Sequence, residues 1–189
     1  MINRPIILAS KSPRRQALLK EAGFQFEVRT RSIDEDFPAD MAVSEVAEFI
    51  AQNKAEAVKD WIKGEEIIIT ADSIVILDNK IYGKPKDKAH AVEILKALSG
   101  SVHQVITGVC ILSKEGRRSF SDVAHVHFEE LTDAEIDFYI DEYQPFDKAG
   151  SYGVQEWIGF TKVKKIEGTF ANIMGLPVHL VYKELIKFK

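Results

Sequence analysis

The stretch Glu66-Ile-Ile-Ile-Thr-Ala-Asp-Ser-Ile-Val-Ile-Leu77 decides the fold. Its isoleucines and valines suit the pleated backbone of a β-strand, and Asp78-Asn79 reads as a hairpin turn into Lys80-Ile81-Tyr82. Upstream, a helix predicted from Ser44 to Lys63 is ended by Gly64. Before it lies a loop, 31–43, rich in acid at Asp34, Glu35, Asp36 and Asp40 and broken by Pro38. Residues 24–30 read as a strand and Pro5 to Ala9 as a short buried one. Between them, Ser12-Pro13 opens a helix with a capping serine and a proline at its first position, and Gly23 closes it. Downstream, Ala91, Ile94, Leu95 and Leu98 lie at helical spacing in a helix from Asp87 that Gly100 stops. Residues 102–112 and 118–128 read as long strands joined through Lys114-Glu115-Gly116-Arg117. Thr132-Asp-Ala-Glu135 is a capping box for a helix ending near Tyr143. The segment 145–176, with five glycines, reads as loop and strand, and a last helix starts around Pro177. Helices interleaved with both adjacent and crossover strands predict an α/β fold, a mixed twisted sheet with flanking helices, in one domain over residues 1–189.

Composition narrows the function classes. The 189 residues carry 25 Lys and Arg against 29 Asp and Glu, a net charge of −4, with 46% hydrophobic and 29% charged residues. That balance excludes disorder, collagen-like repeats and a disulfide-built miniprotein. Mild acidity argues against a general binder of nucleic acid or anionic membrane, so a polyanionic ligand needs a local cluster of cations. The single cysteine, Cys110, fits a reducing compartment. The apolar run near Met1 is too short for a signal peptide, and the longest apolar stretches, 67–77 and 105–112, fall short of the roughly 20 residues a membrane helix needs. The expectation is a soluble, cytoplasmic protein.

Three places break the chain's own structural logic, and such breaks often mark sites. Arg14 and Arg15 sit in the first turn of a helix, with Lys11 just upstream, although a helix N-terminus disfavours cations. An anion bound there, phosphate above all, would reverse the sign of the problem; a solvated basic helix start is the other reading. Asp72 interrupts the apolar run 67–77 and must be paired, hydrogen-bonded or bound to a cation if buried. It marks either a bulge or strand break, with Ser73 satisfying local backbone, or a metal ligand or general base on a rigid strand; the functional reading is preferred. Lys54 falls inside the stripe Val46, Phe49, Ile50, Ala57, Val58 and Trp61. Taken alone, it reads as a lysine snorkelling to the stripe's edge rather than a phosphate ligand.

The remaining polar features carry less. Lys84 lies in the stiff turn Gly83-Lys84-Pro85, and the block from Asp147 to Gln155 is small, flexible and polar, as a ligand loop would be. His125 and His127 share a strand face and read as an edge-strand surface, Cys110 reads as core, and Lys162, Lys164 and Lys165 as a solvated face. No Walker A loop, nucleophile elbow, dinucleotide fingerprint or zinc cluster occurs. If the arginine-bearing helix start, Glu35, Lys54, Asp72 and Lys84 face one cleft, several cations and two carboxylates meet without a covalent nucleophile. That inventory suits hydrolysis of a phosphoanhydride by activated water, with Mg²⁺ or Mn²⁺ on the carboxylates and Lys and Arg on the leaving phosphates.

Six ordered blocks then carry a resemblance covering Pro5 to about Tyr182. They are Leu8-Ala-Ser-Lys-Ser-Pro-Arg-Arg15, Ala71-Asp-Ser-Ile-Val75, Gly83-Lys-Pro85, Leu98-Ser-Gly-Ser-Val-His-Gln-Val-Ile-Thr-Gly108, Asp147-Lys-Ala-Gly-Ser-Tyr-Gly-Val-Gln155 and Gly175-Leu-Pro177. The chain resembles the Maf family of nucleoside triphosphate pyrophosphatases. The resemblance implies hydrolysis between the α and β phosphates with a divalent metal cation, Mg²⁺ or Mn²⁺. It implies a fold similar to that of inosine triphosphate pyrophosphatases, two lobes around a cleft, often as a homodimer. By position, Asp72 matches the family's proton acceptor. Ser10, Arg15, Glu35, Lys54 and Lys84 match its polar cleft residues; Asp72 and Glu35 are the metal ligands that the inventory of carboxylates suggests. Arg14, Ser73 and Gln155 match positions tied to base specificity. The block ending at Gln155 resembles the branch acting on dTTP and UTP rather than the one acting on 7-methyl-GTP. Ser73 departs from the family's usual threonine, and Asp34 or Asp36 are alternatives to Glu35. The rival readings are the same reaction on a modified purine triphosphate such as 7-methyl-GTP or ITP, and a nucleotide-binding division inhibitor without turnover. The partner implied is a nucleoside triphosphate, with no nucleic acid and no membrane.

Overall fold

Side chains along the strand Ile67–Leu77 alternate between two apolar environments. Ile67, Ile69 and Ala71 cluster with Ile6, Leu8, Leu19, Val181 and Leu185, whereas Ile68 packs with Ile7 and Val58. Thr70, next on the second face, is fully buried and donates from Oγ1 to the Ala51 carbonyl at 2.6 Å. A strand walled on both faces has to be apolar nearly throughout, which is why its sequence shows a continuous run instead of an alternation.

The computed structural model describes residues 3–188; Met1 and Ile2, part of the stretch read for a signal peptide, and Lys189 lie outside the described residues. In chain order the elements are β1 (Ile6–Leu8), α1 (Pro13–Glu21), β2 (Glu27–Val28), α2 (Val43–Ala57), β3 (Ile67–Leu77), β4 (Lys80–Tyr82) and α3 (Lys88–Leu98). Then come β5 (Val102–Ser113), β6 (Gly116–Phe128), α4 (Asp133–Tyr143), α5 (Trp157–Thr161), β7 (Val163–Glu167), α6 (Phe170–Ile173) and α7 (Val178–Leu185). They form the expected mixed α/β fold on a seven-stranded sheet of order β2-β1-β3-β5-β6-β7, with β4 paired to β3. β1 runs parallel to β2 and β3, while β3 with β4 and β6 with β7 are antiparallel. Among the described residues no helix is long and apolar enough to cross a membrane.

The chain divides into two compact units. The first takes in the chain up to Ser73, Thr107–Asp122 and the chain from Gly175. Its helix α1 starts as expected: Ser12 Oγ accepts from the Arg15 N–H, Pro13 follows, and Gly23 sits just past the C-cap with φ +81°. On the other face, Ala51 and Ala55 of α2 pack on Cys110. The approach is close at Gly108, where a Cβ would lie 2.2 Å from the Glu48 nitrogen. Only glycine lets the α2 backbone rest on β5 there. Gly108→Ala should therefore lower stability by about 1–3 kcal/mol through overpacking against backbone, read by denaturant unfolding; an unchanged midpoint would show that α2 can ride outward.

The second unit comprises Ile74–Ile106 and Val123–Met174. Ile94, Leu95 and Leu98 of α3 meet Ile136, Tyr139 and Ile140 of α4 over Val126 and Phe128. The capping box of α4 forms, with Glu135 Oε2 accepting from the Thr132 N–H at 2.8 Å and Thr132 Oγ1 accepting from the Glu135 N–H. The Lys162 ammonium, then those cap bonds, hold the Glu135 carboxyl down at about 2. Lys162 is thus tied down, whereas Lys164 and Lys165 are exposed as expected.

Three boundaries differ from the sequence expectation. The helix from Ser44 ends at Ala57, not Lys63, because Val58 turns inward onto Ile7 and Ile68 and a 3-10 turn, Lys59–Trp61, follows. Val58 and Trp61 keep a three-residue spacing through that turn, so periodicity does not register the change. The strand over 24–30 shrinks to β2. The segment 145–176 holds α5 and α6 besides β7, helices of five and four residues that are too short to show a 3.6-residue period.

Candidate active site

Alternation along β3 sends its two polar neighbours in opposite directions. Asp72 follows Ile68 and Thr70 on the face covered by α2, and Ser73 follows Ile69 and Ala71 on the face covered by α1. Lys54, in the last turn of α2, donates from Nζ to Asp72 Oδ1 at 2.7 Å and to Glu35 Oε1 at 2.6 Å. Asp72 is only 8% exposed and lies inside the continuous strand β3. The Lys54 side chain is 16% exposed, so it ends on two carboxylates instead of snorkelling to solvent. Of the three acidic candidates in the loop, Glu35 reaches Lys54.

On the opposite face Arg15 forms a different kind of hub. Its Nε donates to the Gly175 carbonyl at 2.7 Å, Nη1 to the Ala71 carbonyl at 2.9 Å and to Ser10 Oγ at 3.5 Å, and Nη2 to Ser73 Oγ at 3.0 Å. Ser73 Oγ also shares a hydrogen bond of 2.9 Å with Thr107 Oγ1. All these acceptors are neutral. Burial pulls the Arg15 guanidinium below its ordinary range, opposed by the attraction of Asp72 and Glu35 and reinforced by Arg14. Ser10, itself buried, also accepts from the Ser12 N–H at 3.2 Å. Ser10, Arg15 and Ser73 are therefore joined directly, as are Glu35, Lys54 and Asp72, and Arg14 lies half-buried beside Arg15 in the first turn of α1.

Lys84 and Gln155 belong to the second unit. Lys84 is exposed between Gly83, whose carbonyl accepts from the Gly150 N–H at 3.2 Å, and the buried Pro85. Gln155 Oε1 is buried without a hydrogen-bond partner. The neighbouring Glu156 belongs to a network that sequence reasoning missed. The buried Lys148 pairs with Glu156 at 3.1 Å and Asp147 at 2.9 Å; the Tyr139 hydroxyl donates to Glu156 and accepts from the Gly153 N–H. Burial and the Glu156 carboxylate both push the Tyr139 phenol upward. Tyr139 sits at helical spacing with Ile136 and Ile140, so its sequence signal is that of a core residue.

For a metal, Asp72 and Glu35 supply two hard oxygen donors. Mg²⁺ commonly takes one or two carboxylates and completes its shell with water and substrate phosphates, so this donor set fits an ion that arrives with a polyphosphate. Among the described residues no group of three or more His, Cys, Asp or Glu could hold a metal. His125 and His127 do not lie on an edge strand, since β7 pairs alongside β6 and His127 Nε2 meets Glu167 Oε1 at 2.8 Å. Cys110 is core, and burial pushes its thiol up to about 12, which removes it as a nucleophile.

The sequence profile of the Maf-like protein family matches residues 5–188. The chain belongs to the Maf-like family. This Maf-like chain is 51% identical over 183 residues to the dTTP/UTP pyrophosphatase of Bacteroides thetaiotaomicron, covering 96% of this chain and 95% of that protein. It is 47% identical to the dTTP/UTP pyrophosphatase of Porphyromonas gingivalis (97% and 94% covered) and 43% identical to that of Flavobacterium johnsoniae (95% and 93% covered). Among solved structures it is similar to a nucleoside-triphosphatase, dITP/XTP pyrophosphatase, from Mycobacterium abscessus. That likeness has a TM-score of 0.43 and 16% identity, over 66% of this chain and 74% of that one.

Proposed function

We propose that this Maf-like chain is a nucleoside triphosphate pyrophosphatase that hydrolyses dTTP and UTP to the monophosphate and pyrophosphate, using Mg²⁺ or Mn²⁺. The observation that carries the reading is the pair of carboxylates, Asp72 and Glu35, on one ammonium at the one charged position of strand β3. Identity of 43–51% to proteins named dTTP/UTP pyrophosphatase over nearly the whole chain supports the substrate. The net charge of −4 and the lone buried cysteine support a free nucleotide, in place of nucleic acid, and a reducing cytoplasm.

In this reading the oxygen of a water molecule bonds to phosphorus of the α–β anhydride as the bridging P–O bond breaks, and its proton passes to Asp72. Lys54 holds the Asp72 carboxylate in one direction, and its ammonium, with Arg14, offsets the charge that grows on the leaving pyrophosphate. Asp72 and Glu35 would hold the divalent ion, which supplies further neutralisation of the phosphates when bound. Arg15 touches only neutral groups and acts by fixing Ser10 and Ser73. Arg14 and Ser73, on the first unit, take the base.

The test is pyrophosphate release from UTP, dTTP, 7-methyl-GTP and ITP with Mg²⁺ and with Mn²⁺. The pyrimidine triphosphates should lead by about tenfold or more in kcat/KM, a difference of roughly 1.4 kcal/mol in transition-state binding. Preference for either purine would overturn the substrate assignment, and binding without any turnover would overturn the enzyme.

A further inference from the structure

The two carboxylates suited to a divalent cation already share a cation of the protein's own. Lys54 Nζ lies 2.7 Å from Asp72 Oδ1 and 2.6 Å from Glu35 Oε1, at a place where Asp72 is nearly buried and Glu35 half-exposed. Arg15, without touching either carboxylate, is attracted by both. Two anions are thus balanced by two cations before any metal arrives. A divalent ion from solution meets a compensated cluster instead of a dianion. To bind, it must take oxygens from an ammonium whose side chain is only 16% exposed, and leaving the carboxylates without another anion would strand a charge largely shielded from water.

We propose that Lys54 is an internal counter-cation that closes the Asp72–Glu35 pair to free divalent metal, and that a polyphosphate opens it. The phosphate oxygens of a nucleotide give the ammonium an equally anionic partner, and the four-carbon stem of Lys54 can swing to it by rotamer change alone, with α2 unmoved. Metal and nucleotide then bind with positive coupling, and by linkage each raises the affinity for the other by the same factor. The chain holds little metal when no substrate is present. This rests on the reading above only in taking a nucleoside triphosphate as the polyphosphate; the exclusion of metal by Lys54 follows from the cluster itself.

The experiment is Mn²⁺ binding to the full chain, measured by the electron paramagnetic resonance signal of free Mn²⁺, with no nucleotide present. Lys54→Met, which keeps the stem and removes the charge, should bind Mn²⁺ at least tenfold more tightly than the parent chain, whereas Lys54→Arg, which keeps a cation in place, should bind as weakly as the parent. A Lys54→Met variant that binds no tighter, or more weakly, overturns the proposal. A second measurement needs no variant. The non-hydrolysable α,β-methylene analogue of UTP, its own chelation subtracted, should raise the parent chain's Mn²⁺ affinity at least tenfold; equal affinity with and without the analogue also overturns it. Tighter Mn²⁺ binding by Lys54→Met, together with a parent chain that releases no pyrophosphate from any triphosphate, would leave this inference standing and remove the enzymatic reading.

Discussion

Asp72→Asn should lower kcat for UTP by about a thousandfold, roughly 4 kcal/mol of barrier, while the affinity for UTP measured without divalent metal changes by only a few-fold. Asparagine has the shape of aspartate, and its amide oxygen can still accept from Lys54 Nζ, now 2.7 Å from Asp72 Oδ1. The variant therefore keeps the local packing and loses what asparagine cannot supply, a full negative charge and a proton acceptor. Lys54 keeps its bond to Glu35, so the ammonium is not orphaned and the melting temperature should move by no more than a few degrees. A steady-state assay beside calorimetric UTP binding separates the two quantities. If kcat stays within tenfold of the parent, Asp72 is not the proton acceptor; if kcat falls only in proportion to binding, its role is to hold substrate.

How far the site is legible in the sequence depends on which physical signal each residue carries. Asp72 stands out because a charge in an apolar strand contradicts burial, and that contradiction is local. Lys54 breaks the same rule on a helix, but lysine has a cheap way out through its long stem, so helical spacing alone favours the snorkelling reading. What decides it is tertiary: Asp72 shares the β3 face of Ile68 and Thr70, and α2 covers that face. Arg14 and Arg15 read as one basic pair, yet consecutive helical residues point about 100° apart. Arg15 turns onto carbonyls and hydroxyls of β1's loop, β3 and the chain at Gly175. The fold was legible wherever a cap or a period spans enough residues, as at Ser12-Pro13, Thr132–Glu135 and α3. It was not legible where short helices follow one another, nor in the Tyr139–Glu156–Lys148 network, whose members are far apart in sequence and each ordinary in its own segment.

The Arg15 hub makes the second large prediction, because it is the place where conserving charge should fail to conserve function. Arg15→Lys should destabilise the chain by about 2–4 kcal/mol, on the scale of one or two buried acceptors left unsatisfied. Three nitrogens of a rigid plane serve the Gly175 and Ala71 carbonyls and the Ser73 hydroxyl at 2.7, 2.9 and 3.0 Å; a single ammonium on an unbranched stem cannot sit at all three. Gly175, at φ +108°, is held in a backbone conformation open mainly to glycine, and a Cβ there would lie 3.3 Å from Arg15 Nε. The loss of the arginine therefore frees the segment leading into α7 as well as the Ser73 hydroxyl. Because no carboxylate touches the guanidinium, its charge is held only by attraction to Asp72 and Glu35 through the β3 strand. Arg15→Lys keeps the charge that Asp72 attracts, so Arg15→Lys and Asp72→Asn should be close to additive in stability, the double variant losing about the sum of the two single losses. Denaturant unfolding of the three variants reads this directly, and the ratio of UTP to ITP turnover in Arg15→Lys reads the release of Ser73, which should lower the preference for UTP several-fold. Parent-like stability in Arg15→Lys would mean that the Gly175 and Ala71 carbonyls do not depend on the guanidinium, and that the hub is a charge rather than a clamp.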